Sequence, residues 1–477
     1  MTGVTNQVQT PFGSGVQSAV ELAANAAGGA SLTPVDPNIT YTGTWGSGFQ
    51  FSLYDAAIVN NSGFTPYILA ATFDDAVTET NLLTLNIGNI QQINGALALG
   101  FAAMTSFSAP SLLTITGALS GTAPLMTTYS FPLLKYINGL FAPALATLTT
   151  LSLPSLLYLN GNFNPSGALL TTVSAPALIT IAGALSAPGT AVSIDFSSLV
   201  TITQTISPAM NSLTTFTIPN LTTVGGAIAL QANSLLTFSA PALTSIGGAF
   251  SLASTGMTTL SMPSLISMVG NVTPNLPALT TLTLTNLTTI TGQWLPTSLG
   301  LITTLSFPAL TTIVGNNQIS FSGAQVVTAS APLFTTAGGQ VGANMPLCTS
   351  FNLSSLATIG GAFNIGSLAS LPSLSLPAIV SIGALVSIPN AVALTTFSMG
   401  STLKSINGNF SMTNCALNQA SVDGILVSLA ALDGTNGTTA YSGRTVNLSG
   451  GTSSTPGATG LTAKATLVGR GCTVTTN

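Results

Sequence analysis

Residues 213–226 read Leu-Thr-Thr-Phe-Thr-Ile-Pro-Asn-Leu-Thr-Thr-Val-Gly-Gly, and similar stretches recur along most of the chain. The stretch at 148–161 reads Leu-Thr-Thr-Leu-Ser-Leu-Pro-Ser-Leu-Leu-Tyr-Leu-Asn-Gly. Aligning the apolar, Pro and Gly columns gives about fifteen units between Leu82 and Gly408, spaced by 22 residues with occasional spacings of 21, 23 or 24. A fixed period of this length is the signature of a solenoid, because so short a unit buries its apolar face only by stacking on its neighbours.

Two stretches in each unit alternate apolar and polar residues, as β-strands do. One precedes the Pro, as in Leu260-Ser-Met262-Pro263, and the other follows the Gly, as in Ala249-Phe250-Ser251-Leu252. Pro is expected to end the first strand and Gly to turn the corner with a positive φ angle. The predicted fold is therefore all-β: a solenoid over residues 81–413, after a small β-rich region over 1–80 and before an α+β cap over 414–477.

The chain is almost without charge. Its 477 residues include 5 Lys and Arg, 9 Asp and Glu and no His, and charged residues make up 3%. Stacking explains this, because like charges at the same position of successive coils lie about 4.8 Å apart and repel. Five cations cannot neutralise a nucleic-acid backbone, which excludes nucleic acid as a partner.

The sequence also contains few residues of the types that catalyse reactions. The absence of His removes triad chemistry and imidazole metal sites, and Asp195 is the only charged residue between Lys135 and Lys404. A carboxylate-based glycosidase needs two facing carboxylates, so we expect no enzyme, no catalytic residues and no cofactor.

Sulfur-containing residues suggest structural roles. We expect the methionines to fill apolar columns rather than to bind a metal or a cofactor; five of them are Met104, Met126, Met257, Met262 and Met268. Cys348, Cys415 and Cys472 are too few and too scattered for a disulfide scaffold or a zinc site. Cys415 and Cys472 could form a disulfide across the cap, or remain a pair of buried thiols in a reducing cell.

The mean hydropathy of +0.62 raises the question of membrane insertion. A transmembrane helix needs about 20 consecutive apolar residues, whereas Thr, Ser, Gly, Asn or Pro interrupts every apolar run here. No membrane insertion is expected. Residues 1–7, Met-Thr-Gly-Val-Thr-Asn-Gln, also lack the basic and apolar parts of a secretory signal.

The repeat resembles the leucine-rich repeats of bacterial and phage surface proteins. The resemblance is carried by Leu243-Thr-Ser-Ile246-Gly-Gly-Ala-Phe250 and Leu356-Ala-Thr-Ile359-Gly-Gly-Ala-Phe363, and it extends over the repeats from Leu82 to Gly408. Members of that family often have longer units that end in Cys, so the resemblance implies the stacked architecture rather than an exact coil shape.

The C-terminal segment, from residue 414 onward, carries a second resemblance. Asn418–Leu429 is typical of a capped amphipathic helix, with Val422, Ile425, Leu426 and Leu429 on one face. The ending Val446-Asn-Leu-Ser-Gly-Gly451, followed by 461–477, is similar to the C-termini of repeat-containing virion and tail proteins of bacteriophages. Such a cap would cover the apolar end of the last coil. Four cations lie in it or beside it, and either solubility or a binding patch would explain them: Lys404, Arg444, Lys464 and Arg470.

Residues 1–80 do not follow the repeat. Ser18–Ala27 could form a short helix, Thr40–Trp45 and Phe49–Tyr54 suggest a hairpin, and Tyr67–Phe73 suggests a further strand. Asp74, Asp75 and Glu79 could bind Ca²⁺, although solvated loop charges explain them better. This region is expected to anchor the chain to other virion proteins.

These observations favour a non-enzymatic phage virion protein, a fibre or appendage located in the virion. It would decorate the particle or attach to a host-surface glycan or protein, and it could assemble as a homo-oligomer. A bacterial cell-surface adhesin or coat protein is the alternative. An ice-binding solenoid comes third, because such proteins need flat Thr-x-Thr faces and the threonines here are mostly adjacent pairs at coil corners.

Overall fold

The structure, a computed structural model, describes residues 82–87, 91–93, 95–207, 211–231 and 234–477, together with the backbone of four short strands before residue 70. The chain forms a parallel β-solenoid of about 14 turns of about 22 residues, close to the fifteen units expected. Residues 1–183 and 184–477 form two compact units.

A complete turn contains three short strands. The turn that starts at Leu213 shows them as Thr215–Thr217, Thr223–Val224 and Ile228–Gln231, here termed the first, second and third strands. Each of these three strands pairs in parallel with its counterpart one turn later, and Thr215, Phe216 and Thr217 face Thr237, Phe238 and Ser239. The first and third strands confirm the two predicted stretches. The second strand was missed because two residues are too few to display an alternation.

The first strands of residues 82–183 are Leu82–Asn86, Ser106–Ser108, Thr128–Ser130, Thr150–Ser152 and Thr172–Ser174. Those of residues 184–477 are Ser193–Asp195, Thr215–Thr217, Thr237–Ser239, Thr259–Ser261, Thr281–Thr283, Thr304–Ser306, Thr328–Ser330, Ser350–Asn352, Ser373–Leu376 and Thr396–Met399.

The second strands of residues 68–183 are Ile68–Leu69, Gln92–Ile93, Thr114–Ile115, Tyr136–Ile137, Tyr158–Leu159 and Thr180–Ile181. Those of residues 184–477 are Thr201–Ile202, Thr223–Val224, Ser245–Ile246, Ser267–Met268, Thr289–Ile290, Thr312–Ile313, Thr336–Ala337, Thr358–Ile359, Ser381–Ile382 and Ser405–Ile406.

The third strands of residues 95–183 are Leu97–Ala98, Leu119–Thr122 and Phe141–Ala144. Those of residues 184–413 are Ile228–Gln231, Phe250–Ala253, Ile319–Ser322, Val341–Asn344, Phe363–Ser367, Val386–Ser387 and Phe410–Ser411. In turns without a third strand, single bridges such as Val272 with Trp294 hold the same position.

The core consists of apolar columns that run from turn to turn. Phe216, Phe238 and Leu260 face inward from successive first strands, and each is about 1% exposed or less. The predicted core role of the methionines is confirmed, since the five named above are also at most 1% exposed. Because each side chain packs on its equivalents in both neighbouring turns, the stack supplies the core that one unit lacks.

A β-turn ends each first strand where the sequence has Pro. In the turn around Pro263, the Leu265 amide donates to the Met262 carbonyl at 3.2 Å, and Leu156 donates to Leu153 around Pro154 at the same distance. Pro occupies the second position of this turn, which its fixed φ favours and where its missing N–H leaves no ladder bond unmade. The predicted role of Pro in ending the strand is thus confirmed.

The glycine column has a different cause from the one expected. Of the repeat glycines near the second strand, Gly95, Gly270 and Gly315 have positive φ angles of 133°, 91° and 72°, whereas Gly139 and Gly248 do not. A Cβ atom on Gly139 would lie 2.6 Å from the Ala118 amide nitrogen of the preceding turn, and one on Gly248 would lie 2.7 Å from that of Ala227. The prediction that Gly turns the corner through positive φ is therefore wrong for most of the column, and close approach of successive turns selects glycine instead.

The strands before the solenoid also differ from expectation. Backbone strands occur at Thr40–Gly43 and Ser52–Tyr54, but they do not form a hairpin with each other. Thr40–Gly43 pairs antiparallel with Leu82–Asn86, and Ser52–Tyr54 pairs antiparallel with Ala19–Glu21. The helix predicted over 18–27 is wrong because that segment provides the latter strand. The strand expected within 67–73 is present as Ile68–Leu69.

Two helices and two strands complete the C-terminal end. Helix α1 spans Gln419–Ala430, and helix α2, which the sequence did not predict, spans Ala458–Gly469. The Asn418 side chain accepts a hydrogen bond from the Ser421 amide at 2.9 Å, so the predicted cap is confirmed. The apolar face of α1 is buried as predicted, at residues 422, 425, 426 and 429. Strands Thr445–Leu448 and Thr473–Thr476 extend the sheet of third strands in parallel.

Candidate functional site

The candidate site is an outward sheet face in residues 215–283. Four first strands pair there in register, and each directs its outer two residues toward solvent. The middle residues Phe216, Phe238 and Leu260 are buried, and Leu282 in the fourth strand is half-buried. We call the outward side chains the hydroxyl face; they are Thr215, Thr217, Thr237, Ser239, Thr259, Ser261, Thr281 and Thr283.

Register fixes the spacing of these hydroxyls. Thr215, Thr237, Thr259 and Thr281 are direct partners in successive strands and form one row. Neighbours in a row lie about 4.8 Å apart, and the two rows are separated by two residues of strand, about 6.6 Å. The side chains therefore form a regular grid of hydroxyl and methyl groups.

The two threonines of each pair have different roles. The first one bonds to the backbone of the preceding turn: Thr258 Oγ1 donates to the Leu236 carbonyl at 3.3 Å, and Thr280 Oγ1 donates to the Thr258 carbonyl at 3.0 Å. The second one, such as Thr259 or Thr281, opens the first strand and points outward. Among the residues the structure describes, none of the eight hydroxyls of the face makes a side-chain hydrogen bond. They are available to an external partner.

This geometry changes one sequence interpretation. The adjacent threonines were assigned to coil corners, without a Thr-x-Thr face. In the structure only the first threonine is at the corner, and the second starts a Thr-x-Ser or Thr-x-Thr strand. The signal that could have located the face is the Ser or Thr two residues after each pair.

Equivalent rows further along the chain are partly bonded to themselves. Thr328 Oγ1 donates to Thr304 Oγ1 at 3.1 Å, and the hydroxyls of Ser375 and Ser398 lie 2.9 Å apart. These positions are still Thr or Ser, but their hydroxyls bond to each other. In the described part of 184–477, residues 215–283 provide the longest run of first strands with unbonded hydroxyls.

The face has no charge of its own. Asp195 stands in the second row one turn before it, and its carboxylate accepts the Ser197 amide at 3.1 Å in a local turn. No group of three His, Cys, Asp or Glu side chains that could hold a metal ion occurs within the described residues. Asp74, Asp75 and Glu79, the calcium candidates, lie outside the part of the chain that the structure describes.

The four C-terminal cations bond within the cap or between the cap and the last turn of the solenoid. Lys404 Nζ donates to the Asn436 carbonyl at 3.2 Å, and Lys464 Nζ donates to Thr476 Oγ1 at 2.9 Å. Arg470 donates to the Leu432 carbonyl at 2.9 Å, and Arg444 donates to the Asn407 carbonyl. The Lys464 bond joins helix α2 to the strand Thr473–Thr476, and the other three end on carbonyls outside the helices and strands. Each cation therefore has a contact that ties the cap together or to the last turn.

The cysteines are free and buried. Cys415 Sγ contacts the Ile388 carbonyl at 3.4 Å, and Cys472 Sγ contacts the Tyr441 carbonyl at 3.8 Å. Of the two alternatives for this pair, the structure contains the thiols and no disulfide. Burial raises the pKa of the Cys348 and Cys415 thiols, which makes both poor nucleophiles at neutral pH.

Comparison with known proteins adds no assignment: no family model and no curated protein matches this chain. Within the described residues, no helix has the length and apolar character to cross a membrane.

Proposed function

We propose that this protein is a non-enzymatic structural component of a bacteriophage particle, a fibre or appendage of the leucine-rich-repeat surface-protein type. Its hydroxyl face would attach the particle to the host surface. The observation that carries the proposal is the grid of eight uncharged hydroxyls that bond to nothing within the described residues. The likeness of the C-terminal sequence to phage virion and tail proteins supports the location.

The mechanism is avidity. Each hydroxyl and methyl group contributes a weak contact, and the repeat multiplies it along one molecule and over the copies on a particle. Because the face lacks charge, such attachment is expected to be nearly independent of salt, unlike attachment steered by charge. Residues 1–80 would provide the contact with other virion proteins.

The first experiment locates the chain by electron microscopy and mass spectrometry of purified particles from lysed producer cells. Stoichiometric, symmetry-related copies support the proposal. Absence from particles with presence on the cell envelope refutes it and favours the adhesin alternative.

The second experiment tests the face itself. The double variant Thr237→Val, Thr259→Val removes two hydroxyls and keeps the β-branched shape. It is expected to weaken adsorption of the chain to host cells, whereas the matched Thr223→Val, on the second strand, leaves adsorption unchanged. If the double variant adsorbs as well as Thr223→Val, the hydroxyl face does not mediate attachment.

One observation favours a second candidate, an ice-binding protein. A regular two-row Thr-x-Thr or Thr-x-Ser grid can match the repeating oxygen positions of an ice surface, and the strands over residues 215–283 form such a grid. Thermal hysteresis of the purified chain tests this candidate. Activity that disappears in Thr259→Tyr, whose ring interrupts the grid, would support it, and absence of hysteresis in the parent chain would reject it.

A further inference from the structure

Two exposed tyrosines interrupt a column of small polar residues. From the second strand at Gln92 to the one at Ser405, the first position is Thr, Ser or Gln except at Tyr136 and Tyr158. These two occupy adjacent turns and are direct partners across the sheet. Each is 39% exposed. We call them the tyrosine pair.

The two rings form a rigid unit. Their centroids lie 5.7 Å apart and their planes differ by 1°. One face of each ring thus lies against the other ring, and the second face is directed along the sheet toward the next turn. There the direct partners are Thr114 beside Tyr136 and Thr180 beside Tyr158. Because threonine is much shorter than tyrosine, it covers the outer ring face beside it only in part, in agreement with the 39% exposure of each tyrosine.

Two amide side chains accompany the rings. Asn138 and Asn160 follow the tyrosines by two residues and are exposed, with a buried apolar residue between. Asn160 Nδ2 donates to Asn138 Oδ1 at 3.1 Å. In the described protein this leaves the Asn138 NH₂ group as a free donor and the Asn160 side-chain carbonyl as a free acceptor, one on each outer side of the hydrogen-bonded amide pair.

This combination has a recognisable chemistry. A flat ring face accepts the C–H groups of a pyranose ring, and Tyr is suited to partly wet binding surfaces because its body is apolar and its hydroxyl is polar. An amide donor and an amide acceptor close to the rings can each bond a sugar hydroxyl, and a few placed polar groups give such sites their specificity. A polypeptide partner would be expected to need a larger apolar patch than two rings.

We propose that Tyr136, Tyr158, Asn138 and Asn160 form a binding site for the saccharide units of a polysaccharide, with one unit stacked on an outer tyrosine face. The site uses residues other than the hydroxyl face and does not depend on the virion assignment.

Binding is tested with the full-length chain and soluble oligosaccharides of two to six units: β-1,4-linked glucose, β-1,4-linked N-acetylglucosamine and α-1,4-linked glucose. Titration calorimetry measures affinity, and saturation-transfer NMR identifies the sugar protons that contact aromatic rings. We expect at least one series to bind saturably, with the strongest transfer to C–H protons of one ring face. No binding of any series at millimolar concentration overturns the proposal.

Variants separate binding from folding. Tyr136→Thr, Tyr158→Thr restores the residue of the neighbouring turns, so the chain is expected to fold and to bind at least tenfold more weakly. Asn138→Ala, Asn160→Ala tests the amides, with a smaller loss expected. Unchanged affinity in the tyrosine variant, with an unchanged circular dichroism spectrum, overturns the proposal.

A gain-of-pair variant provides the matched control. Ser245→Tyr, Ser267→Tyr creates two adjacent tyrosines at the same strand position, but the residues two positions later are Gly247 and Val269 rather than asparagines. In the Tyr136→Thr, Tyr158→Thr background it is expected to restore binding only to the level of the Asn138→Ala, Asn160→Ala variant. Restoration of the parent affinity would mean that any exposed tyrosine pair suffices and would overturn the assigned role of the asparagines.

Discussion

Replacing Gly248 by Ala tests the close packing of successive turns. The added Cβ would lie 2.7 Å from the Ala227 nitrogen, 2.8 Å from the Gly226 carbonyl carbon and 3.0 Å from the Ala227 Cα. All three atoms belong to the backbone, so no side chain can rotate away. The strand pairs on either side fix the separation of the turns, and relief therefore requires the sheet itself to shift.

The expected loss is about 1–3 kcal/mol, the usual range for forcing a methyl-sized group into a packed interior. Gly424→Ala is the matched control, because Gly424 lies inside helix α1 and nothing beyond the helix's own backbone comes within 4 Å of the position that its Cβ would take. There the same change should stabilise by roughly 0.5–1 kcal/mol through helix propensity. Urea unfolding followed by circular dichroism measures both midpoints. If Gly248→Ala is as stable as the parent chain, the glycine column is not explained by close approach.

Three further outcomes follow from the described contacts. Tyr129→Phe should leave stability unchanged or raise it by about 1 kcal/mol, because the buried Tyr129 hydroxyl has no hydrogen-bond partner in the described protein; a loss above that size in urea unfolding would reveal a hidden partner. The free energy of unfolding should fall above about pH 9. Burial raises the pKa values of the Cys348 and Cys415 thiols and of the Tyr129 phenol, so these groups ionise at lower pH in the unfolded chain than in the folded one. A melting temperature that stays constant up to about pH 11 would contradict this. Thr237→Glu with Thr259→Glu should destabilise by about 0.2–1 kcal/mol more than the two single changes summed, with the excess absent in high salt and absent when Thr259→Lys replaces the second change.

The repeat predicted those parts of the fold that depend on the residue type at each position of the unit. Apolar residues at fixed intervals identified the core, and Pro263 and its equivalents located the ends of the first strands. The sequence did not predict the second strands, because strands such as Thr223–Val224 are very short and form only through pairing between turns. It also did not predict the close backbone approach at Gly248, since the sequence of one unit does not reveal how near the neighbouring turn lies.

The candidate site was harder to predict than the fold. A Thr-Thr pair looks the same whether its first or its second member faces solvent, and only the register between turns decides which hydroxyl finds a carbonyl. Once Thr258 bonds to Leu236, Thr259 is left to point outward. The pairing of Thr40–Gly43 with Leu82–Asn86 escaped because the two segments are distant in the sequence, beyond what local turn signals report.

In an in-register stack, each side chain lies next to the equivalent side chains of the neighbouring turns, so the residues of one column act together. A charge would meet its copy in the next turn, whereas a threonine meets a carbonyl that it can bond or a neighbour that extends the same surface. Selection against repeated charge therefore leaves hydroxyl rows as the natural outer surface. Positions at which a column changes its residue type are therefore the best candidates for function. Stacking alone does not require two adjacent tyrosines in a column that otherwise consists of Thr, Ser and Gln. The proposed roles of the hydroxyl face and of the tyrosine pair can be tested separately. Comparing Thr237→Val, Thr259→Val with Tyr136→Thr, Tyr158→Thr in the same adsorption assay would assign binding to one surface, the other, both or neither.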